Sequence, residues 1–395
     1  MNPVQNPYAP GAGTQPPELA GRNEVINDAI TAMERLRVGN PARSQIFVGL
    51  RGVGKTVLLN RIRDLAEERG LHAVLVEAHE DKSLPALLIP PLRKILLKLD
   101  ARENLSEKTK RGLRVLRSFM GRFKTRIRIG DHAEIELGVD PEIGTADSGD
   151  LENDLGDLLV AVAEAALDRQ TQICLLIDEL QYLTESELSG LIMGLHQVNQ
   201  RNLPFMMVGA GLPLILGLSG RSKSYAERLF SFPPVGALTV EAATSALQTP
   251  AQAHGVSFTP EALAEIICKT ERYPYFLQQW AYEAWNVAPS SPILPEHVSI
   301  ATQKAISQLD DSFFRVRFDR LTRREKEYLF AMIAVGGGQQ RSGDIAEKLG
   351  VKVSSLGPLR SSLISKGMIY SPSHGDNAFT VPLFDGFLKR QLAQD

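Results

Sequence analysis

Cysteine is scarce in this chain. Its 395 residues include two, Cys174 and Cys268, with no metal-ligand spacing around either. That excludes a disulfide-stapled secreted scaffold and a cysteine-held zinc site, and it fits a cytoplasmic protein with reduced, buried thiols. Long apolar runs are also missing. No stretch approaches the roughly 20 residues needed to cross a bilayer, so no membrane span is expected. The N-terminus lacks the apolar segment of a signal peptide. Pro3, Pro7, Pro10, Pro16 and Pro17, with Gly11 and Gly13, read as a flexible leader over residues 1–17. An excess of one charge is absent too, since 44 Lys and Arg stand against 46 Asp and Glu for a net −2. Any nucleic-acid surface must therefore be a local patch.

What is present suits a soluble globular protein. Apolar residues make up 43 % and charged residues 23 %, enough to bury the cores of two or three domains. The most informative stretch is Gly49-Leu50-Arg51-Gly52-Val53-Gly54-Lys55-Thr56, which fits the phosphate-loop pattern G-x-x-x-x-G-K-[ST]. Residues 44–48 read as a buried strand before it. The run from Val57 to Ile62 reads as a helix after it. Strand, glycine loop and helix are the setting this motif needs. Glycines at 49, 52 and 54 are expected to allow positive φ, so that backbone N–H groups turn toward phosphate oxygens. The helix N-terminus adds its dipole. Nucleotide contacts are expected from Gly49, Arg51, Gly52, Val53, Gly54, Lys55, Thr56 and Val57. Lys55 would reach the β- and γ-phosphates of ATP, and the Thr56 hydroxyl would ligate Mg²⁺.

A second motif follows later in the chain. The apolar strand Ile173-Cys174-Leu175-Leu176-Ile177 ends in Asp178-Glu179, the Walker B pattern. Asp178 would hold Mg²⁺ and Glu179 would act as general base toward the attacking water. Residues 205–208 form a further buried strand, after which Ala210 and Gly211 stand where many ATPases place a polar sensor. Arg228 precedes the last strand and either projects toward a neighbouring subunit's γ-phosphate or pairs with Glu227 or Glu241.

Charge splits sharply in an insertion at about 101–150. Ten basic residues lie between Arg102 and Arg128, and ten acidic residues lie between Asp131 and Asp157 with no Lys or Arg among them. Thr125–Ile129 and Glu134–Leu137 alternate as a hairpin would. The basic segment 102–128 reads as a DNA-backbone contact, as a solvated face, or as a helix docked on the acidic segment of its own or a neighbouring chain.

Beyond Pro233-Pro234 the pattern is helical through about residue 310. Within it, Arg272 is placed to touch phosphate, and Pro274 or Tyr273 to pack on adenine. The aromatics at 273, 275, 276 and 280 read equally well as core. From Leu321 the order is helix, short helix, helix from Val353 to Lys366, and two strands around Ser371–Asn377. This is the layout of a winged helix-turn-helix. Lys352, Ser354, Ser355, Arg360, Ser361 and Ser362 form a polar set suited to DNA, although such modules also dock proteins.

Taken together, these features resemble the AAA+ and STAND-like P-loop ATPases, in particular the origin-recognition and Cdc6-type initiators and their bacterial and archaeal relatives. The resemblance rests on Gly21-Arg22, Gly49–Thr56, Ile173–Glu179, Arg228 and the winged tail. It implies an α/β P-loop core (18–235), an all-α lid (236–310) and a winged helix domain (311–395). It further implies Arg22 near the nucleotide base, Arg228 as an arginine finger, and Arg272 and Pro274 on the nucleotide. The lid departs from the initiators and is closer to a Gly-x-Pro pattern with Arg272 in the glycine place. Without a polar sensor after Val208, a slow nucleotide switch is expected rather than a motor. The expected function is an Mg-ATP-hydrolysing switch coupled to DNA, with an oligomer formed in the ATP state. The alternative is a signalling scaffold whose winged module binds protein. A small-metabolite kinase has no need of a lid and winged tail.

Overall fold

The computed structural model describes residues 1–11, 13–100, 106–123, 139–222, 226–373 and 375–393. The chain forms two compact units. One comprises Asn23–Val48 and Lys55–Pro234, the other Met1–Arg22, Gly49–Gly54 and Val235–Asp395.

The first unit is built on a single sheet. Its strands are β1 (Ser44–Val48), β2 (His72–Glu77), β3 (Ile173–Asp178), β4 (Phe205–Gly211) and β5 (Phe230–Ser231), ordered β2-β3-β4-β1-β5. Every pairing is parallel. β1, β3 and β4 are buried along their whole length, which is why they read as near-continuous apolar runs rather than alternating ones. β2 lies at one edge and is only half-buried. β4 sits between β1 and β3, in register Phe47 to Ala210 and Ile177 to Gly209. The ends of β1, β3 and β4 are therefore neighbours, and loops leaving the carboxyl ends of such a sheet carry the chemistry.

Helices Leu84–Asp100, Glu107–Phe123, Leu151–Asp168 and Glu185–Gln200 contribute to the apolar core of this unit. Glu107–Phe123 carries the described part of the basic run, and its charges are engaged inside the unit. Lys108 pairs with Glu164 at 2.9 Å, and Arg111 pairs with Glu142 and Glu164 at 3.0 and 3.1 Å. Arg117 and Arg122 donate to the carbonyls of Val139 and Asp147. Of the readings of this helix, docking on the chain's own acidic segment is the one its contacts realise. The hairpin expected at 125–137 lies outside the described residues.

The second unit holds helices Val240–Gln252, Pro260–Lys269, Pro274–Val287 and Pro295–Gln308. Proline opens three of the four, at the position where its missing N–H costs nothing. A six-residue π-helix, Leu309–Phe314, leads onward. Helices Arg323–Val335, Ser342–Leu349 and Gly357–Ser365 follow, with a three-stranded antiparallel sheet of β6 (Gln340–Arg341), β7 (Ile369–Tyr370) and β8 (Asp376–Phe379), ordered β6-β8-β7. β6 went unread in the sequence because two residues carry no period. The long helix expected from Val353 instead begins as a 3-10 turn and becomes α-helical at Gly357-Pro358. Phe313, Phe314, Phe384 and Phe387 pack ring to ring and join the π-helix to the last helix, Phe384–Leu392.

Two expectations are corrected. The leader is not free: its first nine residues dock on the helices of this unit. Tyr8 is 3 % exposed, edge-on to Phe258 and Trp285, and its hydroxyl donates to the Leu247 carbonyl. The Trp285 indole donates to the Asn2 carbonyl at 3.0 Å, and Asn6 donates to Tyr282 and Asn286. Pro3 opens a short 3-10 turn, Pro3–Gln5, and Tyr8 is the aromatic anchor beside these hydrogen bonds. The thiols also differ from each other. Cys174 is buried, and burial pushes its pKa up to about 12, whereas Cys268 is exposed.

Glu325 holds the tail together. It is 2 % exposed and accepts from the Lys366 ammonium at 2.7 Å, the Ser362 hydroxyl at 2.6 Å and the Thr322 N–H at 2.7 Å. Burial pushes its pKa up, but the hydrogen bonds outweigh burial and hold the carboxyl at about 2. Its contribution is present in full above the unfolded carboxylate pKa of about 4.3 and fades as pH falls toward the folded value. Glu325→Gln should lower stability at neutral pH by roughly 2–3 kcal/mol and flatten the acid side of the stability curve, as read by denaturant unfolding across pH.

Candidate nucleotide-binding site

The phosphate loop leaves β1 at Val48. Gly52 and Gly54 take left-handed φ of 78° and 90°, as expected. Gly49 does not, and its need for glycine is steric, because a Cβ there would lie 2.0 Å from the Val235 carbonyl oxygen.

Two peptide planes of the loop are pinned. The Tyr275 N–H, in the first turn of Pro274–Val287, donates to the Gly52 carbonyl at 3.2 Å. The Arg22 guanidinium donates to the Val53 carbonyl at 3.1 Å and to the Gly236 carbonyl at 2.6 Å. In a trans peptide the N–H points opposite to its C=O. Anchoring these two carbonyls therefore turns the N–H groups of Val53 and Gly54 the other way, into the concavity where an anion would sit. Gly52 is also packed closely, since a Cβ there would meet Tyr275 at 3.3 Å. The Arg51 N–H donates to the carbonyl of Thr380, just past β8, at 3.1 Å.

Lys55 begins helix Lys55–Glu68 and is 7 % exposed. In the same unit the Thr56 hydroxyl donates to Asp178 Oδ2 at 2.5 Å, and the Glu179 N–H donates to Asp178 Oδ1 at 2.8 Å. Asp178 is 3 % exposed. Burial raises its pKa, the Thr56 bond opposes that, Glu179 adds to the rise, and the net shift is upward. A buried carboxylate pushed toward protonation, touching a hydroxyl, is a donor pair that a divalent cation would relieve. Mg²⁺ takes one or two protein oxygens of this kind beside phosphate oxygens and water. Among the described residues no cluster of three or more acidic, His or Cys ligands occurs, so a cation here would depend on the nucleotide for the rest of its shell. Thr56 and Asp178 would hold it, and bound it would neutralise phosphate charge.

Glu179 follows Asp178 with a left-handed φ of 54°. The 3-10 turn Leu180–Tyr182 comes next, and Gln181 donates through Nε2 to Glu179 Oε2. Gln181 Oε1 accepts the Leu212 N–H at 3.0 Å, at the end of β4.

The other expected residues are placed as follows. Arg22 binds the loop's own carbonyl, and burial lowers its pKa. Arg272 is exposed with φ of 63°, the conformation a glycine would take, and its carbonyl accepts from Leu238. Pro274 starts the helix whose next N–H holds Gly52. Phe276 and Trp280 are core, while Tyr273 and Tyr275 are half-buried. Arg228 is exposed on the short helix Ala226–Leu229 before β5. Sequence reasoning missed Tyr275, Thr380 and Gln181.

A parallel sheet ending in a pinned phosphate loop and an Asp-Glu pair defines a P-loop ATPase. Residues 18–208 match the AAA ATPase domain family, and residues 311–388 match a family described as a domain of unknown function. No curated protein matches the chain. Among solved structures, the Walker-type ATPase paby2304 of Pyrococcus abyssi shares the fold at 13 % identity. The match covers 95 % of this chain and 97 % of that one, with a TM-score of 0.56. Weaker likenesses include the Aeropyrum pernix ORC1 protein in complex with DNA, at 15 % identity, 96 % and 94 % coverage and a TM-score of 0.47. The Thermotoga maritima RuvB Holliday junction branch migration motor matches at 16 % identity, 96 % and 99 % coverage and a TM-score of 0.45.

Lys55→Ala should weaken ATP binding by at least about tenfold in calorimetry. Asp178→Asn should keep nucleotide affinity without added metal and lose most of the gain that Mg²⁺ gives.

Proposed function

We propose that the chain is a slow ATP-driven conformational switch whose C-terminal residues 311–395 form a winged helix that binds DNA. The observation that carries this reading is the hydrogen bond from the Arg51 N–H to the Thr380 carbonyl at 3.1 Å. It joins the phosphate loop directly to the strand end of the tail, so a nucleotide that repositions the loop acts on the tail. The helix-strand-helix-helix-strand-strand order and the β6-β8-β7 sheet support the winged assignment. Residues 236–310 serve as lid, with Arg272 and Pro274 near the nucleotide. Glu179 is the general base, Lys55 a phosphate ligand, and exposed Arg228 a finger toward a second copy in an ATP-dependent oligomer.

DNA contact falls to part of the expected polar set. Lys352, Ser354, Ser355 and Ser361 are exposed. Arg360 is spent on Asn377 and Ser371, and Ser362 on Glu325. The described basic helix is engaged by Glu142, Glu164 and the Val139 and Asp147 carbonyls of its own unit, so it carries no part of the DNA proposal. A second reading, in which the tail docks a protein, is favoured by Val351 and Val353, which flank Lys352 at 40 % and 53 % exposure.

Duplex retardation by the full chain with Mg-ATP and with Mg-ADP separates the two. Binding that differs between nucleotides, weakens with salt and drops severalfold in Lys352→Glu supports the switch. No retardation at low salt moves the assignment to the scaffold. Glu179→Gln is expected to bind ATP normally and reduce turnover by about a hundredfold or more.

A further inference from the structure

The carboxyl end of β4 carries no polar side chain. Gly209, Ala210 and Gly211 occupy it, and the neighbouring turn explains why. A Cβ at Gly209 would lie 2.4 Å from Leu180 Cδ1, and one at Gly211 would lie 3.2 Å from Gln181 Oε1. The strand end is stripped of side chains because the turn Leu180–Tyr182, set by the left-handed Glu179, lies over it.

Gln181 occupies that space. Its amide is not free to flip: a backbone N–H can only donate, so the Leu212 N–H fixes Oε1 toward β4. That leaves Nε2, a donor, facing Glu179, where it meets Oε2. The orientation of the Glu179 carboxylate is thus tied, through one side chain, to the backbone at the end of β4.

We propose that Gln181 is a positioning residue for ATP hydrolysis, fixing the orientation of the Glu179 carboxylate through Oε2 and so supplying from the turn the polar group that β4 lacks. In the reaction the water oxygen bonds to the γ-phosphorus. The bond from that phosphorus to the β–γ bridging oxygen breaks, ADP leaves with the electron pair, and the water's proton passes to Glu179. In this role Gln181 acts only through Glu179. The inference rests on the reading of Glu179 as general base.

Four full-length variants test it by steady-state turnover, with ATP affinity measured separately. Gln181→Glu keeps the acceptor for Leu212 and replaces the donor facing Glu179 with a repelling oxygen. Gln181→Met keeps the length and loses both bonds. Each is expected to lower kcat between about ten- and a hundredfold with KM and ATP affinity unchanged. In a Glu179→Gln background, Gln181→Glu is expected to add no further loss, since the group it serves is already gone. Thermal unfolding identifies variants that fold, and Gln181→Glu and Gln181→Met back each other up. Parental kcat in either folded variant, a KM that rises in step with the loss, or the same fold-loss in the Glu179→Gln background would overturn the proposal. Undiminished turnover in Glu179→Gln alone would overturn the base reading beneath it, a distinct result.

Discussion

The shape of the phosphate loop in this chain depends on two carbonyl oxygens held from outside the loop. Gly52 and Val53 lie in a loop with left-handed glycines on its path, and such a loop has several backbone arrangements of similar energy. Tyr275 and Arg22 select one by binding the carbonyls. The rigid peptide plane converts those outward bonds into inward N–H groups. Binding an anion to a preset cradle avoids the entropy of ordering the loop at that moment. The residues expected to bind phosphate and those that pin the loop from outside are thus different sets, and only the first set has a motif.

That division explains what was legible in the sequence. The phosphate loop and the Asp178-Glu179 strand end were readable because their chemistry is local, with spacing and flanking apolar runs enough to place them. The parallel sheet followed from strands too apolar to alternate. Arg272 standing in a glycine place was visible as an oddity, and its φ of 63° accounts for it. Arg22 was expected near the nucleotide base, yet its bonds run to carbonyls of Val53 and Gly236, a contact no spacing rule encodes. Gly49 was assigned a conformational reason and has a steric one. The leader was misjudged because composition counts prolines, whereas docking depends on Tyr8 finding an apolar slot and on the hydrogen bonds of Asn2 and Asn6.

Charge was the least reliable guide. The basic run suggested phosphate contact, but Glu142 and Glu164 sit within 3.1 Å of Arg111 and absorb it. In the tail, Arg360 is the most obvious DNA ligand by type, yet it bridges Asn377, Ser371 and the Asp376 carbonyl. Both cases follow from one asymmetry. A half-buried guanidinium must find acceptors, and acceptors from its own chain are always at hand, whereas a partner's are not. A charge count therefore overstates how much of a surface is available to a ligand.

The strand end of β4 takes the same reasoning one step further. A sensor side chain on β4 and a turn packed against β4 compete for the same volume, as the 2.4 Å approach of Leu180 to a Cβ at Gly209 makes plain. This chain has given the volume to the turn, and the turn brings Gln181. A glutamine on a 3-10 turn two residues from the carboxylate it holds links Glu179 and the strand end through one side chain, whereas a sensor on β4 would be positioned independently of Glu179. Any movement of the turn then shifts Glu179 and its tether together. Such an arrangement favours a site that is either assembled or not over one that is finely graded, which is the behaviour a switch needs more than a motor does.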